Sequence, residues 1–262
     1  MNLSKYFCLL VFVFISFNLA AQKAEHLGRQ VNSEYEEREP ILSHDGRTLY
    51  FWRRATPANT GGFPDPGDIW FSKKLGDGSW TAAVRIGPPL NTTGHDFVWH
   101  ISPNNDTIWI NQVGPGGREI GLKYSVKSKY GAWLAPKEGH IDNFVYEGHY
   151  KDFFIGPNKI MLLPNEKRNG YGGTDIYVCF PSSATSWSTP INLGPTINTP
   201  GDDDAPFLAS DGITMYFNSN GHGGKGDHDI FVSTRLDDSW QNWTEPVSLG
   251  YPINTPGYDF DF

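Results

Sequence analysis

Apolar and polar residues alternate in short runs that return along the chain. TLYFW at 48–52, TIWIN at 107–111, KIMLL at 159–163 and TMYFN at 214–218 share one pattern. DIWFS at 68–72, EIGLKYS at 119–125, DIYVCF at 175–180 and DIFVS at 229–233 share a second. Runs of this length, rich in β-branched and aromatic residues, predict strands. No stretch combines caps with a 3.6-residue period over three turns, so no helix of that length is predicted. Turn chemistry separates the runs. Asp45-Gly46 and Asp211-Gly212 suit tight turns, because Gly accepts a positive φ and Asp bonds its own backbone. Gly-rich loops follow at 169–174 and 220–227.

The runs belong to a repeat. Asp68-Ile69, Glu119-Ile120, Asp175-Ile176 and Asp229-Ile230 are spaced by about 51 to 56 residues. Trp133, Trp187 and Trp243 each precede a proline by three positions, and Trp80 holds the same place in the first unit. Leu193-Gly194 and Leu249-Gly250 come next, with Ile86-Gly87 as their early variant. Asn91-Thr92, Asn198-Thr199 and Asn254-Thr255 close units, and Asn143 is the remnant in the second. Each unit reads as four antiparallel strands, and a four-stranded sheet repeated at this period is a β-propeller blade. The expected fold is all-β: four complete units at about 34–92, 93–143, 144–199 and 200–257, within a domain at 22–262. A spare fourth strand, HLGRQV, lies before them, and at 258–262 YDFDF starts a further strand. These ends favour an incomplete propeller over four closed blades with draped termini. Completion of the ring by a partner is a third arrangement. The recurring aromatics Tyr50, Phe51, Trp109, Tyr216 and Phe217, with the four repeated tryptophans, are expected between blades.

Pro40 through Phe51 reads PILSHDGRTLYF, and Pro206 through Phe217 reads PFLASDGITMYF. These segments resemble the WD-repeat-like β-propeller repeat of TolB-type proteins. The GG-x-D-I-Y and W-x-x-P-x-x-L-G-x-x-I-N-T segments are similar to the variant found in exported Bacteroidetes-type proteins. The third unit lacks the Ser-x-Asp-Gly turn, and SPNND replaces it in the second. The resemblance covers almost all of the chain after the leader. It implies a periplasmic or envelope-associated scaffold for protein interaction and no transferable catalytic set.

Composition adds location. Residues 1–21 carry Lys5, an apolar run of about a dozen residues and the small-residue close NLAA, which reads as a secretory signal peptide. No later segment is apolar enough to span a membrane. Export to the periplasm or cell surface is expected. Cys179 alone remains after cleavage at Ala21, so no intrachain disulfide can form. The whole chain carries a net charge of −8, and no basic run stands out, which argues against nucleic acid.

Acidic residues gather where first strands begin: Glu36, Glu37 and Glu39; Asp96; Glu147 and Asp152; Asp202, Asp203 and Asp204; Asp259 and Asp261. First strands line a propeller's channel. Glu39, Asp96, Asp152, Asp204 and Asp259 are therefore candidates for binding at the channel mouth, with turn capping as the bland alternative. Asp202, Asp203 and Asp204 are the candidate calcium ligands, since hard oxygen donors cluster there, although the EF-hand spacing is missing. No other cofactor is expected. His222, Asp227, His228 and Asp229 share one loop, but their spacing matches no strong zinc or manganese signature. His95, His100 and His149 lie near first-strand starts. Trp52, Trp99 and Trp240 are candidate exposed aromatics for sugar, with core packing as the default reading of each. Cys179 sits at an alternating strand position and reads as packed and inert. No nucleophile elbow or zinc-protease motif is present. The leading functional expectation is a non-enzymatic scaffold that binds an envelope protein, peptide or cell-wall component. The alternative is a carbohydrate-active propeller enzyme of the sialidase or glycosidase kind, with carboxylates meeting across the channel.

Overall fold

A computed structural model describes residues 26–112, 121–146, 153–166 and 169–259. It is an all-β, four-bladed propeller. Blade 1 comprises β1 (Glu36–Leu42), β2 (Thr48–Arg54), β3 (Asp68–Lys73) and β4 (Val84–Arg85). Blade 2 comprises β5 (Asp96–Ile101), β6 (Thr107–Gln112), β7 (Lys123–Val126) and β8 (Lys137–Glu138). A two-residue strand, β9 (His140–Ile141), leaves it. Blade 3 contains β10 (Phe154–Ile155), β11 (Met161–Asn165), β12 (Asp175–Cys179) and, after β13 (Ser186–Trp187), β14 (Ile191–Asn192). Blade 4 is β15 (Asp203–Leu208), β16 (Thr214–Ser219), β17 (Asp229–Thr234) and β18 (Val247–Ser248). Pairing within every blade is antiparallel and meandering.

The alternation explains the stacking. In β2, Leu49 and Phe51 join Val31 and Trp70 on one face, while Tyr50 on the other joins the core shared with blade 2. Ile108 and Ile110 of β6 turn to blade 1, and Trp109 between them turns to blade 3. Met161, Leu163, Tyr177 and Cys179 complete that second core, and Leu162, Ile176 and Val178 belong to the third, shared with blade 4. Both faces of each middle sheet are thus dry, which is what a hydrophobic strand pair without a solvent face needs. The inner strands β1, β5, β10 and β15 adjoin in that order, which sets the axis.

Tight turns take the residues the sequence offers. Gly46 and Gly212 adopt φ 67° and 72°, and Asn105 takes φ 58° where the second unit lacks a glycine. Asp45 accepts the Ser43 hydroxyl and the Arg47 amide, bonds that hold its carboxyl below the usual range.

One expectation changes. The second unit was aligned on Glu119-Ile120, which lies outside the described residues. Lys123 pairs with Ile110 as Trp70 pairs with Phe51, so Gly121-Leu122 holds the place of Asp68-Ile69. Leu122 is buried in the core accordingly. Trp52 and Trp240, candidates for exposure, are 5% and 3% exposed, and Trp99 is half-buried. The repeated Trp187 and Trp243 are buried between blades, as expected.

Candidate functional site at the channel mouth

One mouth of the propeller gathers the starts of the inner strands, the ends of the second strands and the loops that lead into the third. Its framework is a polar staple repeated at three joints. Asn91 accepts from the Ile69 amide at 2.8 Å and donates to the Ile69 carbonyl at 3.0 Å. Asn198 holds Ile176 in the same way, and Asn254 holds Ile230. The residue after each asparagine is a threonine whose amide and hydroxyl donate to an aspartate four positions on: Thr92 to Asp96, Thr199 to Asp203, Thr255 to Asp259. The amides of those aspartates donate to Gly67, Thr174 and His228, on the lead-in to the preceding blade's third strand. Ser33 and Glu37 repeat the motif before blade 1, where Glu37 also takes Arg53 Nε at 2.7 Å.

This geometry assigns work to most of the acidic candidates. Asp96, Asp203 and Asp259 cap four-residue loops; Asp96 and Asp203 staple one blade to the next, and Asp259 fastens the segment after blade 4. Asp68, Asp175 and Asp229 play the matching part on the third strands, accepting the amides of Thr60, Tyr171 and Lys225. The Gly-rich loops are needed here: a Cβ on Gly172 or Gly221 would collide with Thr199. The cost is a buried acidic joint. Burial pushes Asp96 up to about 7, with Asp68 and Asp65 adding repulsion, and burial raises Asp68 and Asp203 as well. His100, also buried, is pulled down to about 4 and stays neutral, edge-on to His44 at 5.9 Å.

The three consecutive aspartates do not face one way. Asp202 accepts the Thr174 amide, Asp203 serves Thr199, and Asp204 pairs across β15–β16 with Asn218. In the 220–229 loop, His222 Nε2 donates to Ile197 O at 2.8 Å, His228 stacks on Tyr258, and Asp229 is tied to Lys225 and Gly226. Among the described residues no group of three His, Cys, Asp or Glu side chains converges as metal ligands would. Asp152, Glu147, His149 and Asp261 lie outside the described residues.

What distinguishes the remaining carboxylates is a bulge. The β1–β2 ladder slips by one residue between Arg38 and Ile41, β5–β6 between Val98 and His100, and β15–β16 between Asp204 and Phe207. Glu39 and Ala205 sit in these bulges with φ 50° and 44°, rare values for residues with a side chain. Glu39 is thus inside one inner-strand bulge and Asp204 borders its equivalent, with Glu39 Oε2 and Asp204 Oδ1 both shielded from solvent. The sequence carried no signal for the bulges beyond Pro40 and Pro206, which cannot donate to a ladder.

No family model matches the chain, and no curated protein does. Solved structures do resemble it. An endo-arabinase from Bacteroides thetaiotaomicron VPI-5482 superposes with a TM-score of 0.51 at 15% identity, over 84% of this chain and 83% of the arabinase. A GH43_12 protein retrieved from capybara gut metagenome gives 0.47 at 19% identity, over 82% of this chain and 42% of that one. A puromycin hydrolase gives 0.45 at 11% identity, and the chain spans 30% of its length. The arabinase likeness establishes the propeller fold. That likeness also corrects the expectation of a non-enzymatic scaffold: the solved structure that superposes over most of both chains is an endo-arabinase.

Proposed function

We propose that the chain is a carbohydrate-active propeller enzyme of the glycosidase kind, working at the mouth where the inner strands begin. One observation carries this reading: equivalent bulges in the inner strands of blades 1 and 4 set two shielded carboxylates, Glu39 and Asp204, at the axis. Bulges re-aim side chains and concentrate beside active sites. Glycoside cleavage asks for two carboxyl groups on opposite sides of the scissile bond. One protonates the leaving oxygen, and the other activates water or attacks the anomeric carbon. Glu39 and Asp204 stand on inner strands of different blades, as such a pair requires. The arabinase, sharing the fold at 15% identity, suggests a pentose-containing glycan as the first substrate to try. The TolB-type motifs at Pro40–Phe51 and Pro206–Phe217 describe the repeat, and the leader at 1–21 supports an exported enzyme acting on glycans outside the cytoplasm.

The test is release of nitrophenol from a panel of aryl glycosides and of reducing ends from arabinan. Turnover is expected, and Glu39→Gln and Asp204→Asn should each lower it by ~100-fold or more, the usual scale for losing an acid–base carboxyl. Unchanged turnover in both variants, or no release across the panel, overturns the reading.

A further inference from the structure

A cavity of about 370 Å³ opens on the joint between blades 3 and 4. None of its lining residues belongs to an inner strand, so it lies beside the axis, walled by the framework loops of the mouth. Its walls come from four stretches: Tyr171 before β12, Pro195 to Pro200 after β14, His222 before β17, and Glu245 before β18. The sequence could not show it, because no one stretch contributes more than part of the wall.

The lining has a definite chemistry. His222 Nε2 donates to the Ile197 carbonyl, so at neutral charge Nδ1 is left as an acceptor. Glu245 adds an exposed carboxylate. The Asn198 amide is already spent on Ile176. Thr196 brings a hydroxyl, and no lysine or arginine lines the cavity. Tyr171, 48% exposed, offers an aromatic ring with a polar tip. Acceptors without cations favour a ligand rich in hydroxyl donors and disfavour anions. A half-exposed ring favours one with an apolar face. The volume falls within the range of small-ligand sites.

We propose that this cavity, on the rim of the mouth and off its axis, is a second saccharide-binding site, taking one or two neutral sugar units. Its argument rests on the lining alone and not on the glycosidase reading.

Calorimetric titration of the full chain with xylobiose, and with galacturonic acid as the anionic comparison, tests it. Saturable xylobiose binding is expected, with little for galacturonate. Tyr171→Ala should weaken xylobiose about tenfold, the scale of one aromatic contact. Glu245→Gln, a change on an exposed side chain, should weaken it too. Xylobiose binding untouched by both cavity variants, stronger binding of galacturonate, or no saturable binding overturns the proposal. Intact binding by a chain that turns over no glycoside keeps this site and removes the catalytic reading.

Discussion

The joint between blades 3 and 4 and the joint between blades 2 and 3 do the same job by different means. At the first, Asn198 and Thr199 clamp Ile176 and Asp203 with buried side-chain-to-backbone bonds. At the second, no such staple appears among the described residues, and the Leu122 carbonyl accepts the Gly139 amide as the Ile176 carbonyl accepts that of Leu193. Asn143 survives only as a surface bond to Thr189 Oγ1. In its place β9 and β13 form a short parallel pair, and Trp187 crosses to meet Trp109 at 5.0 Å, its indole N–H on Lys159 O. Trp99, Phe153, Tyr146 and Phe144 extend this aromatic packing with centroids 5.6 to 6.0 Å apart. A polar clamp specifies register and angle. An aromatic cluster supplies burial and tolerates a degenerate sequence. The second unit drifted from the repeat where burial had taken over.

The contrast can be broken first at Trp187. Removing a side chain 1% exposed should cost about 4 kcal/mol, as large aromatic truncations do, read from urea unfolding. A loss below ~1 kcal/mol would mean that the parallel pair, not the ring, holds the joint. Next comes Asn198→Ala, which takes the acceptor from the buried Ile176 amide, while the Ile176 carbonyl keeps the Leu193 amide, and should cost about 2 kcal/mol. The same change at Asn143 should stay within ~0.5 kcal/mol, the range of surface substitutions. Equal costs at the two asparagines would erase the distinction drawn between the joints.

A smaller effect sharpens the comparison by pH. Asp96 titrates at about 7 in the folded chain against 3.8 for the free group. The folded state therefore keeps a proton that the unfolded state has released. Its contribution is fully present below pH 4 and is lost as pH rises towards 7, with a slope of up to ~1.4 kcal/mol per pH unit. Stability followed by thermal melting should decline across this window, and Asp96→Asn should flatten the decline. An unchanged slope in the variant would move the effect to another carboxylate.

The sequence displayed whatever is local. Asp45-Gly46 and Asp211-Gly212 announce turns because the φ requirement sits on one residue. The strand runs announce blades because burial on both faces selects continuous apolar stretches. The staple was also within reach, since Thr-x-x-x-Asp occurs at Thr92, Thr199 and Thr255, but acidity at those positions drew attention to the channel instead. Whether a carboxylate faces a channel or a threonine four residues back depends on how two blades meet. Glu119-Ile120 misled for the same reason, because register follows the pairing partner and not the dipeptide. Trp240 is flanked by Ser239 and Gln241 and looks like a surface residue, yet it packs on Phe180 of the neighbouring blade. The cavity beside Tyr171 has no local signature at all.

The clamp bonds span only 22 to 24 residues of chain. Each asparagine therefore reaches back to the third strand of the blade just finished, and the Asp96 and Asp203 amides fasten that blade to the one about to form. Contacts of such short loop length are cheap in closure entropy and support rapid assembly. A chain that emerges N-terminus first can lock each sheet as soon as the next linker appears. The repeat thus works as a ratchet in time as well as a scaffold in space, with the aromatic second joint as the one step that waits for a distant tryptophan.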